Sequence, residues 1–380
     1  MERVATGGEG VAHLADGCVA FVAGTAPGDR VVVQIESRKK RFARASVVDV
    51  VEAGPDRIEL SCRHAAAECG GCDWLHLDRS AQRRLKVELV SDQLRRLGRL
   101  EDPAVVHHPD PAGRRTTARC VVTGGRAGYR GRRSSEGFAA EQCGAAHPAL
   151  EELIVEGRFG TASEVLLRVA PGTGERCAIV DGDPRGVRLS GGVVVGAVGQ
   201  EGVAITDRVA GCDWRISAGA FFQTSDRGAE TLVAAVGEAL ADSAGPIVDL
   251  YAGVGLLGGG NVERERLDTA VESNGIACAD ARHNLGDAVR VVEARVEHWR
   301  PDRRFGAVIA DPSRSGLRER GVGVVDACDA ERLVLVSCDP ASLGRDASLL
   351  AGSGWRHCES VVVDMFPDTS RIEVVTRFDR

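Results

Sequence analysis

The sequence predicts a multidomain protein: a small N-terminal β-barrel over residues 1–55, a central α+β domain over 56–208, and a doubly wound α/β domain over 209–380. Three observations carry this. At 380 residues the chain exceeds one ordinary domain. Its first 55 residues break into short β-branched runs separated by tight-turn dipeptides. From Ile247 onward, short apolar runs alternate with helical segments.

In the first segment, strands are expected over residues 11–14 and 18–22, flanking the hairpin dipeptide Asp16-Gly17. Pro27-Gly28 marks a second turn before a strand over 30–35, and a basic cluster including Lys39, Lys40, Arg41 and Arg44 leads into a strand over 45–51. Pro55 closes the unit. Further on, an amphipathic helix is expected over 80–98, with Leu85, Leu89, Leu94 and Leu97 on one side. Stretches 118–123, 164–169 and 193–198 predict an antiparallel sheet. The C-terminal strands are expected at 247–251, 269–271, 289–292, 307–310, 333–337, 361–364 and 372–376, with helices over 230–240, 276–285 and 342–350 among them.

The balance of 43% hydrophobic and 27% charged residues is that of a globular protein in water. No apolar run approaches the roughly 20 residues that span a bilayer, so no membrane association is expected. Residues 1–10 lack the basic start and apolar core of a secretory signal, and a cytoplasmic location is the expectation. In a reducing compartment, the 12 cysteines point to burial, catalysis or metal binding rather than disulfides. The net charge of −7 argues against indiscriminate coating of nucleic acid. Residues 1–135, however, carry 23 Lys and Arg against 17 Asp and Glu, and the remainder 25 against 38. That asymmetry suits a protein that grips phosphates with one part only.

Two constellations carry chemistry. Asp249-Leu250-Tyr251-Ala252-Gly253-Val254-Gly255 ends the first strand of the α/β domain, where glycines let backbone approach a ligand. A dinucleotide site would show a third glycine in register. Glu272, ending the second strand, suits the ribose hydroxyls of a nucleoside, whether NAD or S-adenosylmethionine. The other constellation is Cys62, Cys69-Gly70-Gly71-Cys72 and Cys143. Its spacing reads as a tetrathiolate site, which zinc and iron–sulfur fit equally, with His76 and His147 as rival ligands.

Gly8-Glu9-Gly10-Val11-Ala12, residues 19–28 and the basic stretch to Ala45 resemble a TRAM domain, an OB-like RNA-binding barrel. Four later motifs extend the resemblance. They are Phe221-Phe222-Gln223, Asp311-Pro312-Ser313-Arg314-Ser315-Gly316, Ser337-Cys338-Asp339-Pro340, and Asp364-Met365-Phe366-Pro367 ahead of Arg371-Ile372-Glu373. In this order they resemble the uracil-5-methyltransferases of transfer and ribosomal RNA. The resemblance implies a Rossmann-like class I methyltransferase domain with Gln223, Tyr251, Glu272 and Asp311 around S-adenosylmethionine. It implies Cys338 as covalent nucleophile and Glu373 as base, since carbon 5 of uracil attacks a methyl donor only after a thiolate has added to carbon 6. It also implies a four-iron four-sulfur ([4Fe-4S]) cluster on Cys62, Cys69, Cys72 and Cys143, making the central segment an iron–sulfur and RNA-binding domain. Arg114, Arg115, Arg119, Arg130, Arg132 and Arg133 are then candidate phosphate contacts. RNA is the expected partner, ribosomal in preference to transfer RNA, and the expected state is a monomer.

The chain departs from the family in three places. Leu256-Leu257-Gly258-Gly259-Gly260-Asn261 stands where the family has a regular helix, and each interior glycine costs a helix about 1 kcal/mol relative to alanine. The expectation is a loosened cofactor loop that alanine at 259 or 260 would tighten. Arg295 stands where Asn or Asp often meets the adenine end, and Arg371 where His is usual. These departures sustain an alternative: an RNA-binding iron–sulfur protein whose methyltransferase site has decayed. A cytosine-5 methyltransferase lacks support, because that class pairs two cysteines near its site.

Overall fold

The computed structural model describes residues 1–66, 69–109, 113–132 and 134–380. The N-terminal segment forms a five-stranded sheet in the order Arg3–Val4, Gly10–His13, Val19–Ala23, Phe42–Glu52, Arg30–Arg38. Alternation decides its faces: Ala20, Val22 and Ala45 point inward, while Val32 and Val48 face solvent. The buried Asp29 carboxylate ties this sheet to the segment after Gly54. It accepts from the backbone N–H of Ala26 at 2.6 Å and of Gly54 at 2.8 Å, and from Arg57 Nη2 at 2.6 Å. Arg57 and these N–H donors hold the Asp29 carboxyl below its usual range against the cost of burial.

The central sheet has six strands in the order Val193–Ala197, Arg176–Val180, Glu164–Val169, Thr117–Thr123, Arg126–Arg130, Gly137–Ala139. It is mixed rather than wholly antiparallel as expected. The first two strands run parallel, because the chain between them crosses back through a turn at Pro184–Gly186 and a short strand, Val187–Arg188. The helix Pro148–Glu156 buries Leu150, Leu153 and Ile154 against the sheet.

The C-terminal sheet has eight strands, in the order Arg290–Glu293, Leu267–Glu272, Ile247–Leu250, Ala307–Ala310, Arg332–Ser337, Glu373–Asp379, Arg356–Val363, Val105–His107. The four consecutive parallel pairings from Arg290–Glu293 through to Arg332–Ser337 make the doubly wound half. The last strand comes from the segment assigned to the central domain, and so does the helix Arg79–Arg96, which packs on Pro340–Gly352. The spatial boundary therefore differs from the division at residue 208. The apolar face that marks this helix in the sequence, Leu85, Leu89 and Leu94, is buried in the C-terminal domain's core beside Leu343 and Val362. A periodicity reveals that a face is buried but not against what.

The glycine run also departs from expectation. A short helix spans Leu256–Gly260, started by Gly255 at φ +92° and closed by Asn261, whose Nδ2 donates to the carbonyls of Leu257 and Gly258. A Cβ on Gly258 would lie 2.8 Å from Asp249 Oδ2 and 2.9 Å from Leu267, both buried, and one on Gly259 2.3 Å from Leu285 and 3.2 Å from Trp214. The glycines let this helix lie directly on its neighbours, and none of the three lines the cavity that holds Tyr251, Glu272 and Asp311. The expected tightening by alanine has no basis here. Gly258→Ala should instead destabilise the protein by about 1–3 kcal/mol through overpacking, seen as a lower Tm. An equal or higher Tm would contradict this packing.

Candidate active site

The strand order brings the singled-out residues to one edge. Tyr251 and Asp311 lie one step beyond the paired ends Leu250 and Ala310 of adjacent parallel strands. Ser337 pairs with Val374 across the neighbouring antiparallel strands, so Cys338 and Glu373 occupy the facing ends of that pair. Gln223, Tyr251, Glu272, Asp311, Cys338 and Glu373 all line a single cavity of about 740 Å³. Ligand sites in open α/β sheets lie at this carboxyl edge.

Local structure explains how each is presented. Tyr251 takes a left-handed backbone, φ +63°, unusual for a bulky residue and a mark of strain at a functional turn. Its hydroxyl donates to Glu297 at 3.2 Å. Glu272 accepts from Gly253 N–H at 3.0 Å and from Ser273 and Asn274 N–H at 2.6 and 2.7 Å, which fixes the carboxylate beside the glycine turn. Gln223 Nε2 reaches Asp311 Oδ2 at 3.5 Å. Asp339 caps the helix Pro340–Gly352 by accepting from Ser342 N–H, so Cys338 sits immediately before a helix N-terminus.

Acidic side chains outnumber basic ones along this cavity. Burial raises the Asp311 carboxyl to about 7, and burial together with Asp311 raises Glu373 well above the carboxylate range. Burial, then the Glu373 and Asp311 charges, push the Cys338 thiol up to about 11, with Arg314 opposing. The thiolate fraction of Cys338 should therefore keep rising about tenfold per pH unit between pH 8 and 10. Alkylation by iodoacetamide, followed at the Cys338 peptide, should show that slope in the free protein. A plateau near pH 8.5, the ordinary range of a free thiol, would contradict the electrostatics described.

Other cavity residues carried no signal in the sequence. Thr6 and Gly7 come from the turn between the first two strands of the N-terminal sheet, and Ser370 from the loop ahead of Glu373. The neighbouring Gly8 carbonyl accepts from Trp74 Nε1 at 3.1 Å, which ties the N-terminal sheet to the segment after Cys72. Arg371 lines the cavity, whereas Arg295 lies outside it and lines a separate cavity with Arg99, Arg318, Arg320 and Arg345.

Cys62, Cys69, Cys72 and Cys143 line a second cavity of about 390 Å³. Gly71 N–H points to Cys69 Sγ at 3.4 Å, and the Tyr129 hydroxyl lies 3.2 Å from Cys143 Sγ. Burial raises the Cys69 thiol and pushes Cys72 up to about 12. Among the described residues, no three metal-ligating side chains stand close enough to share one ion. His147 caps a helix through Nδ1 and His76 is buried elsewhere, so neither competes as a ligand. His64 does line the cavity, but its Nε2 already accepts from Glu141 N–H at 3.1 Å. Several expected phosphate contacts are engaged locally. Arg115 donates to the Gly71 carbonyl at 2.6 Å, Arg132 to that of Cys72 at 3.4 Å, and Arg119 and Arg130 share Glu164. Arg133 lies outside the described residues.

An eight-stranded doubly wound sheet with this cavity at its carboxyl edge defines a class I methyltransferase fold. A solved tRNA (uracil-54, C5)-methyltransferase of Pyrococcus abyssi, bound to S-adenosyl-L-homocysteine, matches that fold. It has a TM-score of 0.77 at 24% identity, covering 100% of this chain and 99% of that one. Residues 2–48 match the TRAM domain. An RNA methyltransferase of Streptomyces coelicolor is 35% identical, over 98% of this chain and 90% of its own length. RlmD of Methylococcus capsulatus, a 23S rRNA (uracil(1939)-C(5))-methyltransferase, is 32% identical over 100% and 96%. The chain belongs to the TRAM-domain family of RNA uracil-5-methyltransferases.

Proposed function

We propose that the protein transfers a methyl group from S-adenosylmethionine to carbon 5 of a uridine in 23S ribosomal RNA, through a covalent adduct on Cys338. The observation that carries this reading is the facing of Cys338 and Glu373 across one strand pair, with Asp311 beside them in a single cavity. The Cys338 thiolate adds to carbon 6, and the electron pair moves into the ring as an enolate. Carbon 5 then takes the methyl carbon, whose bond to sulfur breaks. Glu373 removes the carbon-5 proton, and the electron pair left behind expels the thiolate. A carboxylate raised by burial is a stronger base than one in water, which suits this last step. The glycine turn and the fixed Glu272 carboxylate suit a nucleoside, and Asp311 and Gln223 suit the reacting end of the cofactor. The cofactor's positive sulfonium offsets the negative field that holds Cys338 protonated. An intact set of six residues in one cavity disfavours the decayed-site alternative.

The ribosomal preference rests on the cysteine site and on the likeness to RlmD. Nucleosides from ribosomal and transfer RNA of a strain lacking the gene test it: 5-methyluridine should fall in 23S rRNA. Loss from transfer RNA alone would move the substrate. We take the protein to act as a cytoplasmic monomer.

We read Cys62, Cys69, Cys72 and Cys143, which line one cavity, as ligands of a [4Fe-4S] cluster, as the family resemblance implies. The anaerobically purified protein should be brown and hold about four irons and four sulfides per chain, and Cys69→Ser should bleach it. Stoichiometric zinc without labile sulfide would overturn the cluster type.

A further inference from the structure

Between Val363 and Glu373 the chain has no regular structure, so contacts from elsewhere set its course. Those contacts come from the segment that begins at the cysteine pair. Asp73, the residue after Cys72, accepts from Ser370 N–H through Oδ1 at 2.9 Å and from Ser370 Oγ through Oδ2 at 2.6 Å. The N–H groups of Asp73 and Trp74 both donate to the Asp368 carbonyl, at 3.1 and 2.9 Å. Gln82 makes a reciprocal pair with Asp368: its Oε1 accepts from the backbone N–H at 2.8 Å and its Nε2 donates to Oδ1 at 3.2 Å. Lys86, fully buried, holds the upstream end by donating to Asp364 Oδ1 at 2.7 Å and to the Phe366 carbonyl at 3.0 Å. The same loop is a wall of both cavities. Asp368 lines the cysteine cavity, and Ser370, Arg371 and Ile372 line the catalytic one on the way to Glu373.

We propose that Asp73 is a positioning residue for Glu373: through Ser370 it fixes the loop that presents the carboxylate, and it makes proton removal depend on the state of the cysteine site. The proposal rests on the reading of Cys338 as nucleophile and Glu373 as base. Asp73 itself does not line the catalytic cavity, so it acts only through the loop. Cys338 follows a different strand, between Ser337 and the helix cap Asp339, and none of the Asp73 contacts named above involves it. Thiolate addition and methyl transfer should therefore survive a slack loop. Proton removal should not, because a small misplacement of a reacting group costs about 100-fold.

The test is single turnover with methyl-labelled S-adenosylmethionine, measuring methylated RNA both free and covalently bound to protein, for wild type, Asp73→Ala, Asp73→Asn and Glu373→Gln. Asp73→Ala should transfer the methyl at the wild-type rate but release product at least about tenfold more slowly, so methylated adduct accumulates. Asp73→Asn, which keeps an acceptor for Ser370 N–H, should largely restore release. If Glu373→Gln traps adduct and Asp73→Ala does not, the positioning role is wrong and the mechanism stands. Equal slowing of transfer and release by Asp73→Ala, which is general damage, also overturns it. If Glu373→Gln traps nothing, the mechanism falls and takes the positioning role with it. The link to the cysteine site is read separately, by amide hydrogen exchange of residues 364–373 before and after iron is removed from the wild-type protein. Faster exchange after removal supports it, and unchanged exchange overturns it.

Discussion

Cys338→Ala should lower methyl transfer to RNA by about 10,000-fold or more, the scale of losing a nucleophile for which no other group can substitute. The loss should fall on the rate, with RNA affinity within a few fold of wild type, because a thiol at the floor of the cavity contributes little to gripping a polyanion. Proteins grip RNA mainly through its phosphates, which this thiol does not contact under the proposed mechanism. Filter binding and a tritium-release assay on the same preparations separate the two. A variant that still methylates at a tenth of the wild-type rate would exclude Cys338 as nucleophile, and so would restoration of activity by another cysteine.

Glu373→Gln should have an effect of similar size on turnover but a different signature. The amide is close in shape and removes only the ability to take a proton, so the thiolate still adds and the methyl still transfers. The product then cannot leave, and methylated RNA should remain bound to the protein through denaturation. In the wild type the same carboxyl is buried and held above the ordinary carboxylate range by burial and by Asp311. Product release should therefore slow as pH falls and the base is protonated, with the inflection above the usual carboxylate range near 4.3. Normal turnover by the variant, with no adduct, would remove Glu373 from the chemistry.

Much of the catalytic edge was legible from single positions. A parallel sheet presents its chemistry at strand ends, and Asp311, Cys338 and Glu272 each lie at the end of an apolar run that could be placed without tertiary information. Glu373 was singled out only through the family resemblance, because its strand is antiparallel to its neighbours and opens with that residue instead of ending on it. The glycine run misled because helix propensity counts the cost of each glycine but not what lies against it. Leu285 and Trp214, far away in sequence, leave no room for a methyl at Gly259. The domain division missed for a related reason. The helix Arg79–Arg96 shows its apolar face in the sequence, yet nothing local says that the face meets Leu343 and Leu350. Lys86, in the same helix, is a buried charge whose partner Asp364 lies 278 residues away. No pattern in the sequence could pair them, and the same holds for Asp73 with Ser370.

The most direct measurement is peptide mapping after reaction with 23S rRNA fragments containing 5-fluorouridine in the presence of S-adenosylmethionine. Fluorine cannot leave carbon 5 as a cation, so the adduct cannot resolve and is captured after methyl transfer. The expected result is a protease-resistant mass of the methylated fluorouridine nucleotide on the peptide that contains Cys338, and none on the Cys338→Ala protein. The same mass on the peptide of Cys278, Cys328 or Cys358, or efficient methylation with no covalent species, would contradict a Cys338-linked mechanism.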